Sequence, residues 1–182
     1  MDCPLPNTYW VIPNIILAGE HPYGGDEADT RERLNRLCSA GANYFIDLTE
    51  HDEMPDYRPL LPVHVHYLRS PIRDTEVPRD IAQMQELQSR IRNARALGRS
   101  MYIHCRAGIG RTSLAVGCYL VEGGLDGTSA LEQLNRLWSR CARSALWPTV
   151  PQTPEQADYI RDWPRHRVAQ ERAPGPDRRR KR

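Results

Sequence analysis

His104-Cys105-Arg106-Ala107-Gly108-Ile109-Gly110-Arg111-Thr112 lies between two apolar stretches of different kind. Met101-Tyr102-Ile103 before it reads as a buried strand. Leu114-Ala115-Val116-Gly117-Cys118-Tyr119-Leu120-Val121 after it is apolar on nearly every side and reads as a core helix. A strand, a glycine-bearing loop and a helix N-terminus, in that order, make an anion-binding cradle: backbone N–H groups point inward and the helix dipole adds positive potential. Gly108 and Gly110 suit a loop that must turn tightly and let a ligand approach its backbone. Cys105 stands at the mouth of the cradle, where that potential favours a thiolate. Arg111 adds a planar fork able to hold two oxygens of one anion.

The alternation of strands and helices on either side predicts an α/β fold: one domain, with a central, largely parallel sheet flanked by helices on both faces. Residues 1–8 read as a loose lead-in, 9–168 as the domain, and 169–182 as a disordered basic tail. Short strands are expected at 9–12, 15–19, 43–48 and 63–68. Helices are expected from Glu27 to Ala40, from Pro78 to Gly98, from a capping box at Ser129-Ala130-Leu131-Glu132, and from Thr153-Pro154 onward. The polar run Thr49-Glu50-His51-Asp52-Glu53 follows a strand at its C-terminal edge, where open α/β sheets bind ligands, so it is either part of a site or a solvated turn. His64 and His66 are spaced to share a strand face, but with no third ligand in view they read as half-exposed strand histidines.

Composition narrows the classes. With 182 residues, 40% apolar and 26% charged, the chain suits one soluble globular domain. The net charge of +2 owes everything to residues 178–182, all basic; without them 20 basic residues face 23 acidic ones, so no broad nucleic-acid surface is expected. The tail is read two ways, as a contact for acidic partners or a membrane surface, and as a plain solubilising end. Five cysteines, an odd number without close pairing, argue against a disulfide framework. No His/Cys cluster has metal-ligand spacing, so no metal or cofactor is expected. Neither a signal peptide nor a membrane span is visible, and the expected location is the cytoplasm.

Cysteine, five residues, then Arg-Thr resembles the loop of the cysteine-dependent protein tyrosine phosphatase superfamily, and the short chain resembles its small dual-specificity-like branch. The ending lacks the Gly-Lys-Ser/Thr of a nucleotide-binding loop, which excludes a nucleotide hydrolase. The resemblance implies a phosphoric monoester hydrolase acting in two steps through a phosphocysteine. In it Cys105 is the nucleophile, and Arg111 with the backbone of Arg106, Ala107, Gly108, Ile109 and Gly110 holds phosphate. It also implies that Thr112 hydrogen-bonds the sulfur and that His104 orders the loop.

The leaving oxygen needs a proton, hence a carboxylic acid near the cradle. Ser70-Pro71-Ile72-Arg73-Asp74-Thr75-Glu76-Val77-Pro78 looks like the family's Pro-x-x-Asp acid loop, which makes Asp74 the candidate, with Glu76 and Asp80 as rivals. Pro151-Gln152-Thr153-Pro154-Glu155-Gln156 looks like the family's glutamine loop; Gln156 is the candidate that positions water, and it equally fits a capping box with Thr153. Ser113 stands where many relatives carry glycine, and no tyrosine-bearing recognition segment deepens the pocket. Phosphotyrosine proteins are the expected substrates, with phosphoserine and phosphothreonine within reach of a shallow pocket. The rivals are a phosphoinositide, inositol polyphosphate or RNA 5′-phosphate substrate, a module that captures phosphorylated partners, and a thiol redox sensor using Cys38, Cys118 or Cys141.

Overall fold

Met101, Tyr102 and Ile103 are all fully buried, as a strand covered on both faces requires. They form the centre of a five-stranded sheet in the computed structural model, which describes residues 2–171, with side chains described to Trp163. The strands are β1 (Thr8–Ile12), β2 (Ile16–Gly19), β3 (Tyr44–Asp47), β4 (His66–Arg69) and β5 (Met101–His104), arranged β1-β2-β5-β3-β4. Only the β1–β2 hairpin is antiparallel; β2, β5, β3 and β4 run parallel. The helices are α1 (Glu27–Ser39), α2 (Ile81–Ala96), α3 (Arg111–Glu122), α4 (Gly127–Trp138) and α5 (Pro154–Glu171).

The period-two alternation of the strands decides how these helices are shared. Leu17, Phe45 and Tyr102 point to one face and pack on Leu34 and Leu37 of α1. Ile16, Ala18, Ile46, Met101 and Ile103 point to the other and meet the apolar sides of α2, α3, α4 and α5. Helix α3 is buried nearly all round because the sheet lies beneath it and α2, α4 and α5 enclose it. Parallel pairing puts Gly19 and Asp47 in register with His104 on either side. The segments leaving β2, β3 and β4 therefore gather at the sheet edge where β5 delivers Cys105.

Several local expectations are corrected. Residues 5–8 are not loose: Leu5 is buried, its N–H bonds to Thr8 Oγ1, and Thr8 opens β1 opposite Gly19. Strand β4 begins only at His66; Val63 and His64 lie in a turn, so the two histidines share no strand face. No group of residues that could hold a metal ion occurs among the described residues. Pro78 precedes α2 rather than opening it, because Asp80 caps that helix by accepting from Gln83 N–H. Asp126, not Ser129, caps α4; it accepts from the N–H groups of Thr128 and Ser129, and the Ser129 hydroxyl donates back to it. Helix α5 runs through Glu171, past the boundary drawn at 168; residues 172–182, with most of the basic tail, lie outside the described residues. No described helix is long and apolar enough to cross a membrane.

Candidate active site

The strand-to-helix turn is held in shape by its neighbours. Gly108 adopts φ +80°, and a Cβ there would come within 2.8 Å of the Gly19 backbone, so only glycine fits both the turn and the end of β2. The carbonyl of Arg106 accepts from His21 N–H at 3.1 Å, and that of Ala107 from Arg143 Nη1 at 2.6 Å. In a trans peptide the C=O and N–H point oppositely, so these outward carbonyls turn the N–H groups of Ala107 and Gly108 toward the hollow of the loop. Gly110 caps α3 and its carbonyl accepts from Leu114 N–H. Cys105 is buried at the base of the hollow, at the N-terminal end of α3.

Arg111 is 1% exposed and its guanidinium is gripped on two edges. Nη1 and Nη2 donate to the two oxygens of Glu53 at 2.7 and 2.6 Å. Nη1 also donates to the carbonyls of Ile72 and Leu48, and Nη2 lies 2.9 Å from Asp74 Oδ1. Burial opposes the charge, but the Glu53 hydrogen bonds, with the negative charges of Cys105, Glu53 and Asp74, hold the arginine more firmly protonated than usual. For Glu53 burial is again outweighed by Arg111, and its carboxyl lies below the ordinary range. Arg111 Nε is the exception: it is buried and has no hydrogen-bond partner among the described residues. A buried donor without a partner requires an explanation, and a bound anion oxygen supplies one.

His104 is fully buried behind the cysteine, with Nε2 2.6 Å from the Tyr57 hydroxyl and Nδ1 3.4 Å from the Cys105 carbonyl. Burial, only partly offset by Asp47 3.9 Å away, pushes its pKa down, so the ring is neutral. Asp47 is itself held at about 2: burial works against its charge, but the hydrogen bonds from Thr49 and Tyr67 help outweigh it. Thr49 donates twice to Oδ1, and Tyr67 and Arg69 to Oδ2. The Thr112 hydroxyl donates to the Gly19 carbonyl at 3.2 Å, which ties α3 to β2 where a bond to the sulfur was expected.

The acid loop reaches the same place from β4. Register carries into it, because Ser70 N–H donates to Asp47 O and Ile72 N–H to Leu48 O. Ile72 is buried as an anchor, and Asp74, with a side chain 47% exposed, stands at the mouth beside Arg111. Of the rival acids, Asp80 is committed to capping α2 and Glu76 pairs with Arg73 at 3.4 Å.

Gln156 is fully buried and fully engaged: Nε2 donates to Glu76 O at 2.9 Å, and Oε1 accepts from Thr153 N–H. Its capping box with Thr153 is therefore formed, and its amide fastens the acid loop. Gln152, half-buried beside Gly110, makes no hydrogen bond within the described protein. The capping-box alternative for Gln156 is thus the one formed, the free amide of this loop belongs to Gln152, and Arg111 has in Glu53 a partner that the sequence does not single out. The position of residues 49–53 after β3 was the signal for Glu53. Nothing local distinguished the two glutamines. The cysteines Cys3, Cys38, Cys118 and Cys141 form no disulfide with Cys105 or with one another, and burial raises the Cys118 and Cys141 thiols, the latter to about 12.

The chain is similar in sequence and in fold to known proteins. A putative tyrosine phosphatase, 067L, of Invertebrate iridescent virus 3 is 31% identical over 94 residues, covering 49% of this chain and 38% of that protein. The phosphatidylglycerophosphate phosphatase PTPMT2 of Arabidopsis thaliana is 29% identical over 117 residues, covering 61% of this chain and 46% of its own. The chain thus spans less than half the length of these curated relatives. In fold it is similar to P. aeruginosa TpbA, solved in complex with pTyr, with TM-score 0.68, 19% identity and 95% of each chain covered. The family described as PTP-SAK, "Swiss Army Knife protein, DSP-PTPase phosphatase domain", matches residues 5–158. With most of its length so matched, the chain belongs to this DSP-PTPase phosphatase family.

Proposed function

We propose that the domain hydrolyses phosphoric monoesters, phosphotyrosine proteins first among them, by two displacements at phosphorus. The observation that carries this reading is the pairing of Cys105 with Arg111, whose buried Nε lacks a partner among the described residues at a loop that turns backbone N–H groups inward. The Cys105 thiolate attacks phosphorus, a P–S bond forms and the P–O bond to the leaving group breaks. Asp74 gives that oxygen its proton. Phosphate binding competes with Asp74 for Arg111 Nη2 and frees the carboxyl to face the leaving oxygen. Water then attacks phosphorus, Asp74 takes its proton, and the P–S bond breaks to return the thiolate. The free amide of Gln152 suits the placement of this water, while Gln156 holds the acid loop. His104 and Thr112 keep the cysteine end of the loop in place from behind.

The pTyr complex of TpbA supports phosphotyrosine as the first substrate to try, and the reading extends to phosphoserine and phosphothreonine. A reducing compartment such as the cytoplasm suits the unpaired thiols. The test is metal-free phosphate release from phosphotyrosine and phosphothreonine peptides, a phosphoinositide and phosphatidylglycerophosphate. Cys105→Ser is expected to remove turnover while retaining phosphate-ester binding. Asp74→Asn is expected to lower turnover about 100-fold or more. Turnover confined to the lipids would keep the chemistry and replace the substrate. Full activity in Cys105→Ser would refute the mechanism.

A further inference from the structure

Behind the phosphate loop lies an ion network centred on Glu20, a residue only 8% exposed just past β2. Its Oε1 accepts from Arg33 Nη2 of α1 at 2.6 Å, and its Oε2 from Asn7 Nδ2 at 3.0 Å and Arg143 Nη2 at 2.8 Å. Arg143 sits on a short 3₁₀ turn, Ala142–Ala145, and its own N–H donates to Asn7 Oδ1 at 2.9 Å. Its remaining terminal nitrogen, Nη1, makes the 2.6 Å bond to the Ala107 carbonyl. One guanidinium thus joins a buried carboxylate to the outer side of the phosphate loop.

We propose that Arg143, held by Glu20, is a positioning residue for phosphate: it fixes the 107–108 peptide with its carbonyl outward and the Gly108 N–H inward. Gly108 makes the device necessary. At φ +80° a glycine has no side-chain barrier against rotation of the peptide before it, and the reverse orientation would aim a carbonyl dipole at the anion. The charge-assisted bond from Arg143 holds the orientation that binds. His21 N–H does the same for the preceding peptide, but through backbone alone. Nothing in the side chain of Arg143 reaches the reacting atoms, so its effect travels through the loop. The proposal rests on the loop being a phosphate site, not on which ester is cleaved.

The test measures the affinity for inorganic phosphate, by calorimetry, in a Cys105→Ser background, together with KM and kcat for an aryl phosphate in the active enzyme. Arg143→Met is expected to weaken phosphate binding about ten- to a hundredfold, the range of one hydrogen bond to a charged group. KM should rise with it, and Arg143→Lys should recover part of the loss. Arg33→Met is the control, since Arg33 shares Glu20 but does not touch the loop; its phosphate affinity should stay within about twofold. If Arg143→Met fails to fold, Glu20→Gln reads the same link, because it releases Arg143 while leaving the Ala107 bond partner in place, and a weakening of several-fold is expected. Unchanged phosphate affinity in folded Arg143→Met, or equal losses in Arg33→Met and Arg143→Met, would overturn the proposal and leave Arg143 a strut. Absence of turnover in the parent enzyme with phosphate affinity still dependent on Arg143 would refute the hydrolase reading alone.

Discussion

The phosphate loop and the acid loop meet at Arg111 but are built differently. The first is a single continuous turn between β5 and α3: Cys105, Ile109 and Gly110 are buried, and the carbonyls of residues 106 and 107 are tied down from outside. The second, residues 70–77, is exposed from Arg73 to Glu76 and has one buried anchor, Ile72. Three side chains from other elements hold it: Arg111 on the Ile72 carbonyl and Asp74, Gln156 on the Glu76 carbonyl, and Gln83 of α2 on the Pro71 carbonyl. The nucleophile therefore sits in a buried turn braced from behind, while the proton donor stands on an exposed loop fastened by side chains of α2, α3 and α5. Preorganisation is concentrated where charge develops on the phosphoryl oxygens. Freedom is kept where a leaving group must enter and depart.

Removing the element that both regions share should break the comparison most severely. Arg111→Leu is expected to lower kcat/KM about a thousandfold or more, since a phosphate clamp of this kind is worth 10³ or above. It should also lower the melting temperature, because Glu53 loses both hydrogen bonds while remaining largely buried. Steady-state kinetics and thermal melts on the same preparation check both. A variant of full stability and full activity would mean that Glu53 and Arg111 are not coupled.

A smaller effect separates the two glutamines. Gln156→Ala should loosen the acid loop and lower kcat about tenfold for substrates with poor leaving groups, and less for a nitrophenyl ester that needs little protonation. Gln152→Ala should instead slow release of phosphate from the cysteinyl intermediate, seen as a larger burst in rapid mixing. The same leaving-group dependence in both variants would erase the distinction drawn between them.

The smallest effect is on stability against pH. Burial holds His21 down at about 3 and lowers His104 as well. Asp47 is held at about 2, and Glu53 also lies below its ordinary value. Each folded pKa is below the unfolded one, so the unfolded chain takes up the proton first as pH falls. The histidine contribution is complete above about pH 6.5 and drains below it; the carboxylate contribution drains from about pH 4 down toward 2. Each group contributes at most about 1.4 kcal/mol per pH unit. Melting temperature should therefore fall on acidification before any carboxylate titrates, and His21→Gln should flatten the upper part of that fall. A flat profile from pH 7 to pH 5 would contradict the buried neutral histidines.

How far the sequence could be read followed how local each feature is. The strands flanking the cradle, the core helix α3 and the glycine stops of α2 and α3 were legible because apolar periodicity and turn chemistry act over a few residues. The start of β4 was misplaced because His64-Val65-His66 alternates like a strand, yet the segment before His66 has no neighbour to pair with. The starts of α2 and α4 differ from the expectation, Asp80 capping two residues past Pro78 and Asp126 three before Ser129, because several residues near each start could serve.

By itself the sequence determined the chemistry at hand: a cysteine, an arginine and two glycines within nine residues admit few other strand-to-helix turns. It also determined the α/β layering, because strand and helix periods alternate along the chain. Only the tertiary structure decided who holds that chemistry in place. Glu53 lies 58 residues from Arg111, Gln156 lies 80 from Glu76, and Arg143 lies 36 from Ala107. Parallel register gathers the segments that carry Glu53 and the acid loop, and the packing of α4 and α5 brings in Arg143 and Gln156; no local pattern encodes either choice.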